Sequence, residues 1–180
     1  MTKVTYANAD NKKAAREFLF SFFSQSNIIG LAGPDINDYL KWCADRGFKN
    51  VEIYENNSRV MVKQLLEVRS KIPIQFKFSD IINAAIKEET LYDLDFCSSV
   101  LSLYHHIKKF KNEKFVMTFA TRPIGVDDTI AKFFSTRREK VVSSIEKYSP
   151  VHHRVIKTRL GKYIAVPYFD TSSMVSIAKI

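Results

Sequence analysis

The chain has 180 residues, 46% of them hydrophobic and 26% charged, which is long enough to bury a core and too apolar for a disordered protein. No apolar run reaches the roughly 20 residues that span a bilayer. The stretch FLFSFF (18–23) follows charged residues and lacks a small-residue cleavage site, so we predict no secretory signal. Cys43 and Cys97 give neither a disulfide framework nor a zinc pattern, and we expect a reducing, cytoplasmic location.

The positive charge is concentrated in one segment. Residues 108–162 hold 14 Lys or Arg and 5 Asp or Glu, whereas the remainder holds 14 of each sign, so the net charge of +9 arises from this segment. Such asymmetry predicts that the segment faces a polyanion. A solvated basic surface without a partner is the alternative.

Hydrophobic periodicity and turn residues predict one domain over residues 11–180, after a loose N-terminus of ten residues. In chain order the predicted elements are helix 11–25, strand 27–31, helix 36–46, strand 50–54, helix 59–70, strand 74–78, helix 81–88, strand 91–96, helix 99–110, strand 114–119, helix 127–148, strand 163–169 and strand 173–180.

Alternating strands and helices predict a doubly wound α/β fold, with a mostly parallel sheet of seven strands and helices on both faces. The last two strands, joined by residues 170–172, predict an antiparallel hairpin. Ligands of such sheets bind beyond the carboxyl ends of the strands. The segments that follow each strand are therefore the candidate sites.

A glycine-containing turn follows the first strand, in IIGLAGPD (28–35). Glycine there avoids a Cβ that would block a ligand or forbid the turn, although Gly-Pro is also ordinary turn chemistry. Glu55 follows the second strand at the offset of about 20–25 residues that nucleotide-binding α/β folds place between glycines and a carboxylate. Glu52, inside that strand, is the weaker candidate. Asp80 follows the third strand, where capping of a helix is the competing explanation.

This order of elements, with its terminal hairpin, resembles the class I methyltransferases that depend on S-adenosylmethionine (SAM). The resemblance implies SAM as the cofactor, with Gly30, Ala32 and Gly33 beside its methionine part. It also implies that Glu55 accepts hydrogen bonds from the ribose hydroxyls and that Asp80 touches the adenine amino group. The glycine pattern departs from that of the family, because Asn27 and Ile28 stand where an acidic residue is usual.

The fourth strand carries the most distinctive segment, DLDFCSS (93–99). It resembles the Asp-x-Asp-Pro-(Phe/Tyr)-Gly pattern of tRNA guanine-N2 methyltransferases, except that Phe96 replaces the proline. The resemblance implies that Asp95 orients or deprotonates the target group and that Phe96 stacks on it, with Asp93 counted among the cofactor-binding positions. Cytosine-C5 enzymes suggest Cys97 as a nucleophile, against the alternative of a small packed residue.

After the fifth strand, basic side chains fall where the family receives its substrate, and phosphate contacts are the expected role. The predicted nucleic-acid-binding residues are Arg122, Arg137, Arg138, Lys140, Arg154, Lys157, Arg159 and Lys162. The histidines occur as adjacent pairs without metal-ligand spacing, so we predict no metal.

These observations favour a SAM-dependent methyltransferase that acts on RNA or DNA, in a compact chain that resembles phage- or virus-encoded members. The alternative is a binding protein on an inactive methyltransferase-like scaffold, with nucleic acid or an acidic protein such as a polymerase as its partner. A small-molecule substrate is a third hypothesis. No membrane partner is expected.

Overall fold

The computed structural model describes residues 9–120, 126–133, 142–145, 153–158, 160–167 and 174–180. They divide into two compact units. The central unit is Ser24–Asp95, and the terminal unit combines Met1–Phe23 with Phe96–Ile180.

Five helices and nine strands occur in the described residues. In chain order they are α1 (Ala9–Phe20), β1 (Asn27–Gly30), α2 (Ile36–Asp45), β2 (Asn50–Glu55), α3 (Ser58–Glu67), β3 (Ile74–Phe78), β4 (Thr90–Ser99), α4 (Tyr104–Phe110), β5 (Phe115–Ala120), α5 (Val126–Phe133), β6 (Val142–Ile145), β7 (Arg154–Thr158), β8 (Gly161–Pro167) and β9 (Met174–Lys179). Two short 3₁₀ turns, Ile81–Asn83 and Val100–Leu103, precede β4 and α4.

The central unit is built on parallel strands in the order β3-β2-β1-β4. Ile28, Ile29, Val51, Ile53 and Leu91 are buried in it, although neighbours along a strand point to opposite faces. Apolar residues on both faces are typical of parallel strands that are covered on both sides. The predicted parallel α/β arrangement is confirmed here.

The terminal unit carries antiparallel strands in the order β5-β9-β8-β7-β6. Its core contains large aromatic side chains, among them Phe115, Phe119 and Tyr163, and α1 packs on β5 and β9 through Leu19 and Phe20. The predicted C-terminal hairpin is confirmed, because β8 and β9 pair antiparallel from Tyr163↔Lys179 to Pro167↔Val175.

The strand count was predicted too low, since the described parts of the chain already contain nine strands rather than the predicted seven. Residues 142–145 were predicted as part of a helix from 127 to 148, but α5 ends at Phe133 and these residues form β6. β6 pairs with β7, with Val142 opposite Lys157 and Ile145 opposite Arg154. Pairing with β7 thus overrides the local helical pattern.

The predicted helix 81–88 is also wrong, because only Ile81–Asn83 is helical and as a 3₁₀ turn. Tyr92 fixes the rest of this segment: its hydroxyl accepts a hydrogen bond from the Lys87 N–H at 2.8 Å and donates to the Ala85 carbonyl at 3.3 Å. These bonds occupy backbone groups that a helix would need. Of the predicted helix 99–110, only Tyr104–Phe110 is α-helical.

The same segment brings Lys87 to a buried carboxylate on β2. Glu52 is 7% exposed, accepts a hydrogen bond from Tyr54 Oη at 2.9 Å, and pairs with Lys87 Nζ. Burial alone would raise the pKa of Glu52, but the hydrogen bonds from Lys87 and Tyr54 and the charge of Lys87 hold it below its ordinary value. Burial and the neighbouring Glu52 raise the pKa of Tyr54 to about 12.

Replacing Lys87 should therefore destabilise the fold in a pH-dependent way. We expect Lys87→Met to lower the free energy of unfolding at pH 7 by about 1–3 kcal/mol, because a buried carboxylate loses its main partner. With its lowered pKa, Glu52 stabilises the fold above the ordinary value of 4.5 and loses that contribution as pH falls through the folded-state pKa. Urea unfolding should thus show a smaller difference between the two proteins at pH 3 than at pH 7.

The matched control is Lys63→Met, which removes the exposed Lys63–Glu67 pair at 3.8 Å. An exposed pair contributes about 0–1 kcal/mol, so this variant should stay close to the parent protein at both pH values. An equal loss for the Lys87 variant at pH 7 and pH 3 would contradict the role assigned to Glu52.

Candidate functional site

Parallel pairing brings the predicted cofactor positions of the central unit to one edge of its sheet. Gly30, the last residue of β1, pairs with Ile53 of β2 and with Asp93 of β4. Glu55 lies two residues beyond Ile53 and pairs with Phe78, the last residue of β3. The segments after these strands therefore begin along the same carboxyl edge, where ligands of open α/β sheets bind.

The glycine turn, residues 30–35, needs its two glycines for different reasons. A Cβ on Gly30 would overlap Tyr39 Oη and would lie 3.0 Å from Asp93 Cβ and 3.1 Å from the Asp93 carbonyl oxygen. Gly33 has a φ of +66° with nothing within 4 Å of an added Cβ, so backbone conformation requires the glycine there. Packing against Asp93 therefore accounts for Gly30 without any ligand.

The backbone of this turn retains hydrogen-bonding capacity. Leu31 N–H donates to the Asp93 carbonyl at 3.1 Å, which anchors the start of the turn to β4. The N–H groups of Ala32 and Gly33 donate to no acceptor within the described part of the chain. Two successive N–H groups in a turn are suited to an anionic oxygen such as a carboxylate.

Glu55 is half-buried at the end of β2 and is held by the turn that leads into α3. Its Oε1 accepts the Asn57 N–H at 2.7 Å, and its carbonyl accepts the Ser79 N–H at 3.1 Å. Asn57 in turn caps α3, because its Oδ1 accepts the N–H groups of Arg59 and Val60. One carboxylate oxygen of Glu55 thus has a structural partner, and Oε2 receives no hydrogen bond from the described residues.

Asp80 follows β3 and caps the 3₁₀ turn Ile81–Asn83, since its Oδ1 accepts the Ile82 N–H at 2.9 Å. The capping explanation is thereby confirmed. Contact between Asp80 and an adenine amino group stays a prediction.

The two aspartates of β4 differ in burial. Asp93 is 0% exposed beside Gly30, whereas Asp95 is half-buried, and alternation along the strand puts both on the same face. Within the terminal unit, Phe96 is 9% exposed and its ring lies 5.0 Å from that of His106 in an edge-on arrangement. Stacking of Phe96 on a substrate would first require the ring to be uncovered. The side chain of Cys97 is outside the described residues.

Three of the eight predicted nucleic-acid-binding residues are described. Lys157 and Lys162 are exposed and stand directly opposite each other on β7 and β8. Arg154 is three residues from Lys157, so it lies on the other face of the strand. Like charges placed opposite each other repel, and a bound anion would relieve that repulsion. The remaining five lie outside the described residues: Arg122, Arg137, Arg138, Lys140 and Arg159.

A cavity of about 310 Å³ opens in the central unit at the amino ends of the strands, on the edge away from the glycine turn. Glu52 and Lys87 line it together with Asn27, Asn50 and Thr90. Glu52 was predicted as the weaker ribose ligand, and the sequence did not predict this location. The one signal for it is a carboxylate inside the otherwise apolar pattern of β2.

The described ranges contain neither a metal-binding cluster nor a membrane-spanning helix. No group of three or more His, Cys, Asp or Glu side chains there is arranged to hold a metal ion. None of the described helices has the length and apolar character needed to cross a bilayer.

The different roles of the two glycines predict different responses to alanine. Gly30→Ala should lower the free energy of unfolding by about 1–3 kcal/mol, because the new methyl group presses on the main chain of Asp93. Gly33→Ala should cost about 1–2 kcal/mol through its positive φ alone, and Gly33→Asn should cost less because asparagine tolerates this conformation. Chemical denaturation measures all three, and a fully stable Gly30→Ala variant would refute the packing explanation.

Comparison with known proteins gives structural similarity but no sequence match: no family model and no curated protein matches the chain. A Listeria monocytogenes protein described as an S-adenosylmethionine-dependent methyltransferase is similar at 11% identity and a TM-score of 0.56, over 96% of this chain and 100% of that one.

The N-methyltransferase NodS from Bradyrhizobium japonicum WM9, solved with S-adenosyl-L-homocysteine (SAH), is similar at 10% identity and a TM-score of 0.59, over 98% of this chain and 88% of that one. At such identities the likeness concerns the fold, and the chain has the Rossmann-like fold found in SAM-dependent methyltransferases.

Proposed function

We propose that this protein is a SAM-dependent methyltransferase and that its substrate is a nucleic acid. The observation that carries the proposal is the shared carboxyl edge of the central unit. The glycine turn, with two available N–H groups, lies there beside Glu55, the last residue of β2, and beside Asp93 within β4. The backbone N–H groups suit the carboxylate at the amino-acid end of SAM, and the Glu55 carboxylate suits the hydroxyls at its nucleoside end.

The residues present fit this cofactor. The N–H groups of Ala32 and Gly33 would hold the carboxylate of the methionine part, and Glu55 Oε2 would accept from ribose hydroxyls. Asp80 would contact the adenine amino group through the carboxylate that also caps the 3₁₀ turn. SAM supplies the activated methyl group, so orientation of the acceptor is the main task of the protein.

Asp95 is the proposed catalytic residue, because it is half-buried two positions beyond Asp93 on the same face of β4. A carboxylate there would orient an amine or hydroxyl and take up its proton as the methyl group transfers. The likeness of DLDF (93–96) to the tRNA guanine-N2 pattern supports a base amine as the acceptor. Phe96 as a stacking residue and Cys97 as a nucleophile remain the secondary proposals.

A nucleic-acid substrate is supported by charge. The excess of +9 falls in residues 108–162, and the described part of that segment places Lys157 opposite Lys162 on an exposed face. Phosphate contacts of this kind position a nucleic acid without reading its sequence. The resemblance of the sequence to phage- or virus-encoded members supports an enzyme that works in the host cytoplasm.

A second candidate function is binding without catalysis on the same scaffold. It is favoured by Gly30, whose requirement for glycine is met by packing against Tyr39 and Asp93, and by the departures from the family's glycine pattern. In that case the basic segment would bind nucleic acid or an acidic protein surface.

Calorimetric titration with SAH separates the two functions. We expect binding on the order of micromolar, which corresponds to about 8 kcal/mol, and at least tenfold weaker binding for Glu55→Ala. Glu88→Ala is the matched control, since Glu88 is exposed at the opposite, amino edge of the same sheet. A folded protein that does not bind millimolar SAH would favour the scaffold instead.

The nucleic-acid proposal predicts a specific salt dependence. Lys157→Gln with Lys162→Gln should weaken binding to a single-stranded RNA and reduce the slope of log K against log salt by about 0.7 per lost phosphate contact. The control pair Lys63→Gln with Lys77→Gln removes the same charge from the central unit and should change neither quantity beyond a small general effect. Fluorescence anisotropy at several salt concentrations measures both, and equal effects of the two pairs would contradict the assignment.

A further inference from the structure

Helix α3 departs from an ordinary amphipathic helix at several positions, although it buries Met61 as expected. It buries Gln64 completely, at 0% exposure, while Leu66 is 82% exposed and Val62 and Leu65 are about half exposed. Burying a polar side chain is unfavourable unless it makes hydrogen bonds, and exposing apolar ones gains nothing. Such an arrangement indicates that the Gln64 amide is needed for its hydrogen bonding, which a leucine at the same position could not provide.

The buried amide reaches the glycine turn. Gln64 Nε2 donates to the carbonyl oxygen of Gly33 at 2.6 Å, across 31 positions of sequence. Gln64 Oε1 is equally buried and has no hydrogen-bond partner within the described residues. Gln64 thus forms one short hydrogen bond but buries an unsatisfied oxygen. The net contribution of the side chain to stability is therefore small or unfavourable.

A second amide ties α2 to the end of the same helix. Asn37 Nδ2 donates to the Glu67 carbonyl at 2.9 Å, and Asn37 Oδ1 accepts the Arg69 N–H at 2.8 Å. The chain on either side of Pro34 is therefore fastened to α3, at Gly33 by Gln64 and at Asn37 by its own side chain. Gly33 would otherwise be the most mobile residue of the turn, since glycine has the widest choice of backbone conformations.

We infer that Gln64 is a positioning residue for cofactor binding, which acts by fixing the Gly33 carbonyl and so the conformation of the glycine turn. The inference rests on the proposed function, because the turn is the proposed site for the methionine part of SAM. With the Gly33 peptide held by α3, the N–H groups of Ala32 and Gly33 keep one arrangement before the ligand arrives. Preorganisation of this kind raises affinity by removing the cost of ordering the turn on binding.

The variant Gln64→Met tests this directly, because methionine has a similar length and cannot donate to Gly33. We expect SAH to bind about tenfold more weakly, as the loss of one neutral hydrogen bond would give. The free energy of unfolding should change little, since the variant removes the unsatisfied oxygen as well as the hydrogen bond to Gly33. Amide hydrogen exchange in residues 31–36 should become faster, while β1 and β2 keep their protection. Gln75→Met, an exposed glutamine on β3, is the control and should alter none of these.

The conservative variant Gln64→Glu adds a pH readout that a purely structural role would not produce. Only the protonated carboxyl group can donate to the Gly33 carbonyl, and burial favours that neutral form. Its SAH affinity relative to the parent protein, measured at each pH, should therefore recover as pH falls from 8 to 5. The corresponding ratio for Gln64→Met should stay constant over this range.

Two different outcomes would overturn the positioning role of Gln64 and the proposed function. If the parent protein binds SAH and Gln64→Met binds it equally well, with unchanged exchange in the turn, the positioning role is overturned and the proposed function stands. If the parent protein does not bind SAH, the proposed function fails, and with it the role in cofactor binding, whatever the exchange rates of the turn.

Discussion

Parallel pairing of four strands is the constraint on which the candidate site depends. With β1 in register between β2 and β4, Gly30 stands beside Ile53 and Asp93, and the chain leaves β1, β2 and β3 along the same edge. A shift of one residue in either pairing would turn every side chain of that strand to the other face. Buried apolar residues on both faces of β1 and β2 hold this register, so the core of the central unit fixes the geometry of its edge.

Helix α3 joins two parts of that edge which are far apart in sequence. It starts directly after Glu55, whose carboxylate accepts the N–H of the capping residue Asn57, and it reaches back to the glycine turn through Gln64. The position of one helix therefore sets both the carboxylate proposed for the ribose and the backbone proposed for the methionine part. The same helix buries the polar Gln64 and exposes the apolar side chains Val62, Leu65 and Leu66.

The opposite edge of the central unit is chemically distinct. The buried Glu52 pairs there with the exposed Lys87 and accepts a hydrogen bond from Tyr54 Oη, and the segment before β4 is held by hydrogen bonds of Tyr92 instead of forming a helix. This network makes the stability of the unit depend on pH without involving the carboxyl edge. Stability and the proposed cofactor chemistry can thus be perturbed separately by mutation.

The sequence by itself determined the parts of the fold that local patterns encode. Apolar runs ended by Gly33, Glu55 and Asp80 predicted β1, β2 and β3 and the segments that follow them, since strand ends and turns depend on nearby residues. Only the tertiary structure decided that residues 142–145 pair as a strand, that 84–89 is not a helix, that packing against Asp93 requires Gly30, and that Gln64 bonds to Gly33. The glycine and glutamine contacts join residues distant in sequence, the strand at 142–145 needs its partner β7, and 84–89 is set by side-chain hydrogen bonds of Tyr92. The energies of such contacts outweigh the weak local preferences for helix or strand.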